Sequence, residues 1–222
     1  MKLSIIIPAL NEADNISQTL DSLQNLRKTG HEIIIVDGGS KDATCFIAKS
    51  KVDRLITCEP GRARQMNTGA RLATGAILIF LHSDTTLPAN IEDIFMKIGK
   101  KSYWGRFDIR LSGESTIFRL IEWMINTRSR FTGVATGDQA IFMTRELFQT
   151  VGGYPNIPLM EDIALSKRLK RISSPVCIPR YVVTSSRRWE ENGILKTILL
   201  MWMLRLKYAF GISPDELAKQ YE

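Results

Sequence analysis

Four short apolar runs open the chain, at residues 3–7, 32–36, 54–58 and 76–81. Between them, apolar residues recur at helical spacing; Ile16, Leu20, Leu23 and Leu26 mark one such face. Strands alternating with helices run parallel through right-handed crossovers, so the loops after them emerge at one sheet edge. The run 76–81 is apolar at every position, as in a strand covered on both sides. A first helix is predicted to start at Asn11, where Asn11 and Asp14 resemble a capping arrangement. Ser40 is the predicted cap of a second helix running toward Lys49. A third covers 63–73, with Gly75 as its C-terminal cap.

After Pro88 the pattern loosens. The spacing predicts a helix over Ile91–Ile98, a strand over Trp104–Leu111, a long helix over 116–130 and a glycine-rich turn over 132–137. A strand over 139–143, a short helix from Arg145, a turn over 152–155, a helix over 160–170 and a strand over 176–178 follow. The expectation is an α/β fold, a mostly parallel twisted sheet flanked by helices, in one domain over 1–190. Residues 1–88 would be its nucleotide-binding half and 89–190 its acceptor half. Residues 191–222 would be a helical tail. Within it, 194–210 forms either a helix packed on the core or an amphipathic helix on a membrane surface. Lys196, Arg205 and Lys207 oppose a spanning helix.

Composition narrows the partners. The 222 residues carry 30 Lys and Arg against 23 Asp and Glu, a net charge of +7, which suits an anionic partner. The basic residues are scattered and accompany no nucleic-acid motif, so nucleic acid is not expected. Cys45, Cys58 and Cys177 give neither a disulfide framework nor a zinc pattern. A strand beginning at Leu3 predicts that no leader precedes the fold, and the expected location is cytoplasmic, including the inner face of the membrane.

The chemistry gathers in the loops. Asp84, in His82-Ser83-Asp84-Thr85, ends a buried strand, where a carboxylate needs a cation or hydrogen-bond donors. It is either a ligand for a hard divalent ion on a diphosphate or a turn residue before Pro88. His82 is a ligand, a diphosphate contact or a half-buried histidine satisfied by the fold. Asp37-Gly38-Gly39-Ser40 offers close backbone approach and an acceptor for a ribose or base, or a plain strand-to-helix turn. Arg62 and Arg64 stand at a helix start, where anions bind, or on a solvated turn. Glu161-Asp162 opens another helix, as a general base or as ordinary first-turn acids. Gly137-Asp138-Gln139 holds a hydroxylated acceptor or forms a turn. Arg187-Arg188-Trp189 clamps phosphate or is a basic loop around one tryptophan.

Taken in order, these segments resemble the family 2 glycosyltransferases of GT-A fold. The resemblance runs from 5-Ile-Ile-Ile-Pro-Ala-Leu-Asn-Glu-12 through Ile35-Val36-Asp37-Gly38-Gly39-Ser40, Gly61-Arg62-Ala63-Arg64-Gln65-Met66-Asn67, Leu81-His82-Ser83-Asp84 and Glu161-Asp162 to about Trp189. It implies an inverting, metal-assisted transfer of a sugar from a nucleoside-diphosphate donor to a hydroxyl or lipid-phosphate acceptor. By resemblance, Pro8, Asn11, Glu12, Asp37, Gly38 and Gly39 line the nucleoside pocket. Arg62, Arg64, Asn67, His82 and Ser83 lie near the phosphates or sugar. Asp84 holds Mg²⁺ or Mn²⁺, and Asp162, with Glu161, activates the acceptor. Gly137, Asp138, Gln139, Arg187, Arg188 and Trp189 face acceptor or phosphate. His82 stands at the first aspartate of the metal motif. Ser185 stands where processive members carry glutamine, so processive synthesis is not expected. A sugar nucleotidyltransferase and a GT-A module that binds without turnover are the competing readings. The loop Pro8-Ala9-Leu10-Asn11-Glu12 lacks the glycine-rich, basic character of the former.

Overall fold

The computed structural model describes residues 1–98 and 102–221. Its amino-terminal half alternates as expected: β1 (Leu3–Ala9), α1 (Ala13–Ser22), α2 (Gln24–Lys28), β2 (Glu32–Asp37), α3 (Thr44–Ala48), β3 (Arg54–Thr57), α4 (Arg62–Leu72) and β4 (Ile77–Phe80). β1 pairs in parallel with β2 and β4, and β2 with β3. Alternate residues explain why these runs are apolar throughout. Ile5, Ile7, Ile33, Ile35, Ile77 and Ile79 join Ile16 and Leu20 of α1 in one core. Ile6, Ile34, Val36, Leu78 and Phe80 join Ala63, Met66 and Ala70 of α4 in the other. The small face of α4 matters: a Cβ on Gly69 would lie 2.5 Å from Ile6 Cγ2.

Three expected caps act otherwise. α1 starts at Ala13, not Asn11; Asn11 is left-handed (φ 54°) and its side chain accepts the Lys41 N–H at 2.9 Å. Ser40 caps no helix, since its hydroxyl donates to Asp37 and α3 begins at Thr44. Gly75 is not a helix cap either. α4 ends at Leu72, and a Cβ at Gly75 would sit 2.7 Å from the Ser4 nitrogen, so glycine serves close approach to β1.

The second half adds β5 (Thr85–Thr86), α5 (Ile91–Ile98), β6 (Trp104–Leu111), α6 (Thr116–Thr132), a 3-10 turn (Gly137–Gln139), β7 (Phe142–Thr144), α7 (Arg145–Thr150), α8 (Glu161–Lys170), β8 (Val176–Thr184), α9 (Arg187–Asn192), α10 (Ile194–Ala209) and α11 (Pro214–Tyr221). The expected strand over 139–143 starts later, because 137–139 tighten into the turn. The expected strand over 176–178 continues to Thr184. Pro179 cannot donate to a ladder, and the pairing with β6 skips it: Phe107 faces Ile178 and Asp108 faces Tyr181. The eight strands run β3-β2-β1-β4-β7-β6-β8-β5.

β7 is antiparallel to both β4 and β6, and β8 is parallel to β6. The ends of β1, β2, β4, β6 and β8 therefore share an edge with the start of β7. Beyond its first residues β6 has no strand on its β7 side, and α6 replaces one. Asn126 accepts the Ile109 N–H at 2.9 Å and donates to its carbonyl at 3.1 Å; Glu122 accepts the Leu111 N–H at 2.7 Å, and Arg119 donates to its carbonyl at 3.0 Å. Asn126→Leu would orphan two buried backbone groups at about 1–3 kcal/mol each. Urea unfolding is expected to show a midpoint lowered to match, with the m-value unchanged.

Candidate active site

At this shared edge lies a cavity of about 220 Å³, and among its walls are Arg62, His82, Asp84, Gly137, Asp138, Glu161, Asp162, Arg188, Trp189, Arg205 and Tyr221. Residues more than 140 positions apart meet here because the strand ends do. Asp84 is placed by its neighbour: the Thr85 hydroxyl contacts that of Thr184 at 2.9 Å, pinning the loop to the end of β8. The Ser83 carbonyl accepts the Thr19 hydroxyl at 2.7 Å, which ties the same loop to α1.

Glu161 and Asp162 form the first turn of α8, where the helix dipole favours negative charge. Met160 before them adopts left-handed geometry (φ 67°), a strained conformation for a bulky residue. It stays there because Met160 and Ile163 pack against Leu204 of α10 and Leu217 of α11. Asp162 accepts the Gly137 N–H at 2.9 Å and the Ile163 N–H at 2.7 Å. Burial raises its carboxyl above the ordinary aspartate range against these bonds. Burial and the adjacent Asp162 raise Glu161 to about 7, opposed by Arg62, whose Nη1 lies 3.9 Å from Glu161. Asp84 is also raised by burial, while Thr85, Arg187 and Arg62 act the other way. His82 is lowered to about 3 by burial and by Arg62, so its imidazole is neutral. Its Nε2 is buried without a partner, and a Cβ on Gly137 would lie 2.5 Å from it.

The other residues singled out in the sequence divide clearly. Pro8, Asn11, Glu12, Asp37, Gly38 and Gly39 cluster at the ends of β1 and β2, outside the walls of the 220 Å³ cavity. They are laced together: Gly38 N–H donates to the Ala9 carbonyl at 2.8 Å, Asn11 N–H to Ser40 at 2.8 Å, and Glu12 N–H to Thr44 at 2.8 Å. The Asp37 carboxylate accepts the Gly39 and Ser40 N–H groups at 2.8 and 2.9 Å. Gln65 joins this cluster to α4 by donating to the Ala9 and Val36 carbonyls, each at 2.8 Å. Arg64 turns outward onto Glu59. Asn67 holds the Tyr154 backbone at both ends, with bonds of 2.8 and 2.9 Å. Gln139 is sealed and accepts the Thr136 N–H at 3.1 Å, so it secures its own turn. Ser83 is buried outside the cavity walls, and Arg187 is exposed beside it. Arg188 stacks on Tyr221, 3.9 Å from the ring centroid.

Arg205 and Tyr221 were missed in the sequence. Only Arg205 left a signal there, as a charge inside the apolar run 194–210.

Among the described residues no cluster of three His, Cys, Asp or Glu side chains has metal-site geometry. Asp84 alone still fits a hard ion, since Mg²⁺ is held through one or two carboxylates plus substrate phosphates.

The Glycosyl transferase family 2 profile matches residues 4–148. A "PGL/p-HBAD biosynthesis glycosyltransferase" from Mycobacterium bovis is 29% identical over 224 residues, covering 89% of this chain and 80% of that protein. Staphylococcus aureus TarS 1–349 in complex with UDP-GlcNAc superposes with a TM-score of 0.68 at 18% identity, over 83% of this chain and 58% of that one. Glucosyl-3-phosphoglycerate synthase from Mycobacterium tuberculosis, with Mn²⁺, UDP and glucosyl-3-phosphoglycerate, gives 0.63 at 20% identity, over 95% and 80%. The chain spans 61% of the TarS 1–349 chain in another of its crystal structures.

The Glu161 carboxyl has a direct stability consequence. The folded state keeps its proton up to about 7, the unfolded chain only to 4.5, so the Glu161 contribution to stability falls as pH rises between those values, against the opposite contribution of His82, which the fold keeps neutral. Glu161→Gln is expected to remove the falling contribution, so the melting temperature of the variant gains on that of the wild type as pH rises through that window. Scanning calorimetry across the window checks this.

With the sheet, the shared edge and the profile match in agreement, the chain belongs to glycosyltransferase family 2, with the GT-A fold.

Proposed function

We propose that the chain is an inverting transferase that moves a sugar from a nucleoside-diphosphate donor to an acceptor oxygen. The reading is carried by buried Glu161 and half-buried Asp162 sharing one cavity with Asp84 and Arg62. Solved relatives support a nucleotide-sugar donor and a divalent ion: TarS holds UDP-GlcNAc, and a Pyrobaculum calidifontis mannosyltransferase holds GDP-Man and Mn²⁺. The two bases differ, so the donor base stays open.

The chain's own groups account for the step. The bond from anomeric carbon to diphosphate oxygen breaks, and its electron pair stays on that oxygen. Arg62, at the start of α4, stabilises the negative charge that develops there. Asp84 would hold Mg²⁺ or Mn²⁺, which supplies further charge neutralisation on the diphosphate. Asp162 takes the proton of an acceptor hydroxyl as that oxygen bonds the anomeric carbon from the opposite face. The Gly137 and Ile163 N–H groups fix the carboxylate for this, and its raised proton affinity makes it the stronger base. Glu161, protonated up to about 7, spares Asp162 a second negative neighbour. The loop after β1 is tied to Ser40, Asp42 and Thr44, an arrangement unlike a glycine-rich triphosphate cradle and unfavourable to a nucleotidyltransferase.

Titration calorimetry of UDP-, GDP-, CDP- and dTDP-sugars, with Mn²⁺ and with chelator, tests the donor side. One donor is expected to bind, more tightly with Mn²⁺, and Asp84→Asn is expected to remove the difference. Binding of none by folded protein would overturn the reading. Asp162→Asn is expected to lower kcat by roughly 10²–10⁴-fold with donor affinity unchanged. Full activity in that variant would exclude Asp162 as base.

A further inference from the structure

The cavity does not end at Asp162. Through Asp138, Trp189, Met201 and Arg205 it joins an apolar groove of about 370 Å³ between α6 and α10. Ile121, Met124, Ile125 and Ile198 contribute to its walls, and Trp123 and Trp202 stand exposed at its rim. On either side, both helices present apolar residues to solvent: Leu120 and Phe131 on α6; Leu195, Leu199, Leu206 and Phe210 beside α10. A surface this apolar marks an interaction site. No helix among the described residues is long and apolar enough to cross a membrane, so the stripe is not a span.

The inner end of the groove is cationic. Arg128 and Arg205 both reach it, and Arg128 Nε, Arg128 Nη2 and Arg205 Nε are buried with no hydrogen-bond partner. Burial and the neighbouring Arg205 push the Arg128 guanidinium down to about 10. Asp138 also lines the junction, with Oδ1 buried and unpartnered; among the described residues neither arginine ion-pairs with it or with any other carboxylate. Asp138 and Asp162 both oppose these two cations, yet three guanidinium nitrogens remain without an acceptor, which the oxygens of a further anion would supply. An anion with an apolar chain attached fits groove and end together.

We infer that the acceptor is a lipid phosphate: its chain lies in the α6–α10 groove, its phosphate between Arg128 and Arg205, and a head-group hydroxyl beyond the phosphate reaches Asp162. This rests on the transferase reading above and names the acceptor that reading leaves open. Guanidinium suits it, because it donates along two directions to phosphate oxygens. The exposed stripes then border the route by which the chain enters from a bilayer.

Tryptophan fluorescence provides a test independent of turnover. Three of the four tryptophans, Trp123, Trp189 and Trp202, line the groove, and Trp104 is fully buried elsewhere. Dibromododecyl phosphate, below its micellar concentration, is expected to quench saturably. Dibromododecanol is expected to bind at least about tenfold more weakly, the value of charge-assisted bonds. Arg128→Leu with Arg205→Leu is expected to abolish that preference while the alcohol still binds, which also reports that the variant is folded. Equal affinity of the wild type for phosphate and alcohol would overturn the anchor, and absence of quenching by both would overturn the groove. Nucleotide-sugar titration of the same sample separates the two readings. Intact donor binding with no lipid binding refutes this inference alone, whereas loss of donor binding refutes the transferase.

Discussion

Two adjacent carboxylates, one buried and one half-buried, at the start of one helix set the terms for the rest of this structure. Isolated burial of such a pair would be prohibitive, so the fold must bring dipoles and cations to it. The first turn of α8 supplies part of the field, the Gly137 N–H another part, and Arg62 a full charge. Each partner comes from a different element: Arg62 from the start of α4, Gly137 from the turn before β7, Arg205 from α10. Desolvation is still not fully offset, and both carboxyls keep a raised affinity for protons. Under the proposed transfer, in which Asp162 takes a proton from a hydroxyl, that residual imbalance is the useful quantity.

The sheet makes this convergence possible through one reversal. Four parallel strands place the loops after β1, β2 and β4 on one edge. Turning β7 around puts its beginning on that same edge, so the 137–139 turn faces the loops instead of lying across the sheet. β6 and β8 then bring Leu111 and Thr184 to the edge as well. The reversal leaves β6 short of a neighbour, and the side chains of α6 fill the gap. Holding the open strand thus fixes the helix that later forms one side of the apolar groove.

The strands were legible because their apolar residues fill both faces, and a run such as Ile5-Ile6-Ile7 has no other economical location. Glu161 and Asp162 were legible for another reason: acidic residues after a turn at a helix start are a local pattern. What failed was whatever depended on distant partners. Asn11 and Ser40 have the chemistry of helix caps, but each finds a better partner in the adjacent loop. Gly75 has the composition of a helix stop, but its lack of a Cβ answers to Ser4, more than 70 residues away. The strand expected over 176–178 continues to Thr184, because an irregularity lets the ladder with β6 pass over Pro179 and Arg180. Gln65, which joins α4 to two strand ends, looked like any polar helical residue.

The carboxy-terminal helices carry the strongest lesson about tertiary context. Read alone, 194–210 is an apolar helix interrupted by charge, with packing on a core and lying on a membrane as rival fates. The structure gives different residues of α10 different tasks. Leu204 is buried against Met160 and Ile163 and so helps hold Glu161 and Asp162 in place. Met201 and Arg205 face the cavity and the groove, and Leu195, Leu199 and Leu206 remain in solvent. One helix therefore stabilises the carboxylates, forms a wall of the reaction space and presents an apolar exterior. Coupling these tasks has a physical consequence: anything that draws α10 toward an apolar phase acts on the same element that packs against Met160 and Ile163, on either side of Glu161 and Asp162. An acceptor seated along α10 would tighten the packing under the base as it binds. Acceptor occupancy and the ionisation of Asp162 would then be linked through the position of a single helix.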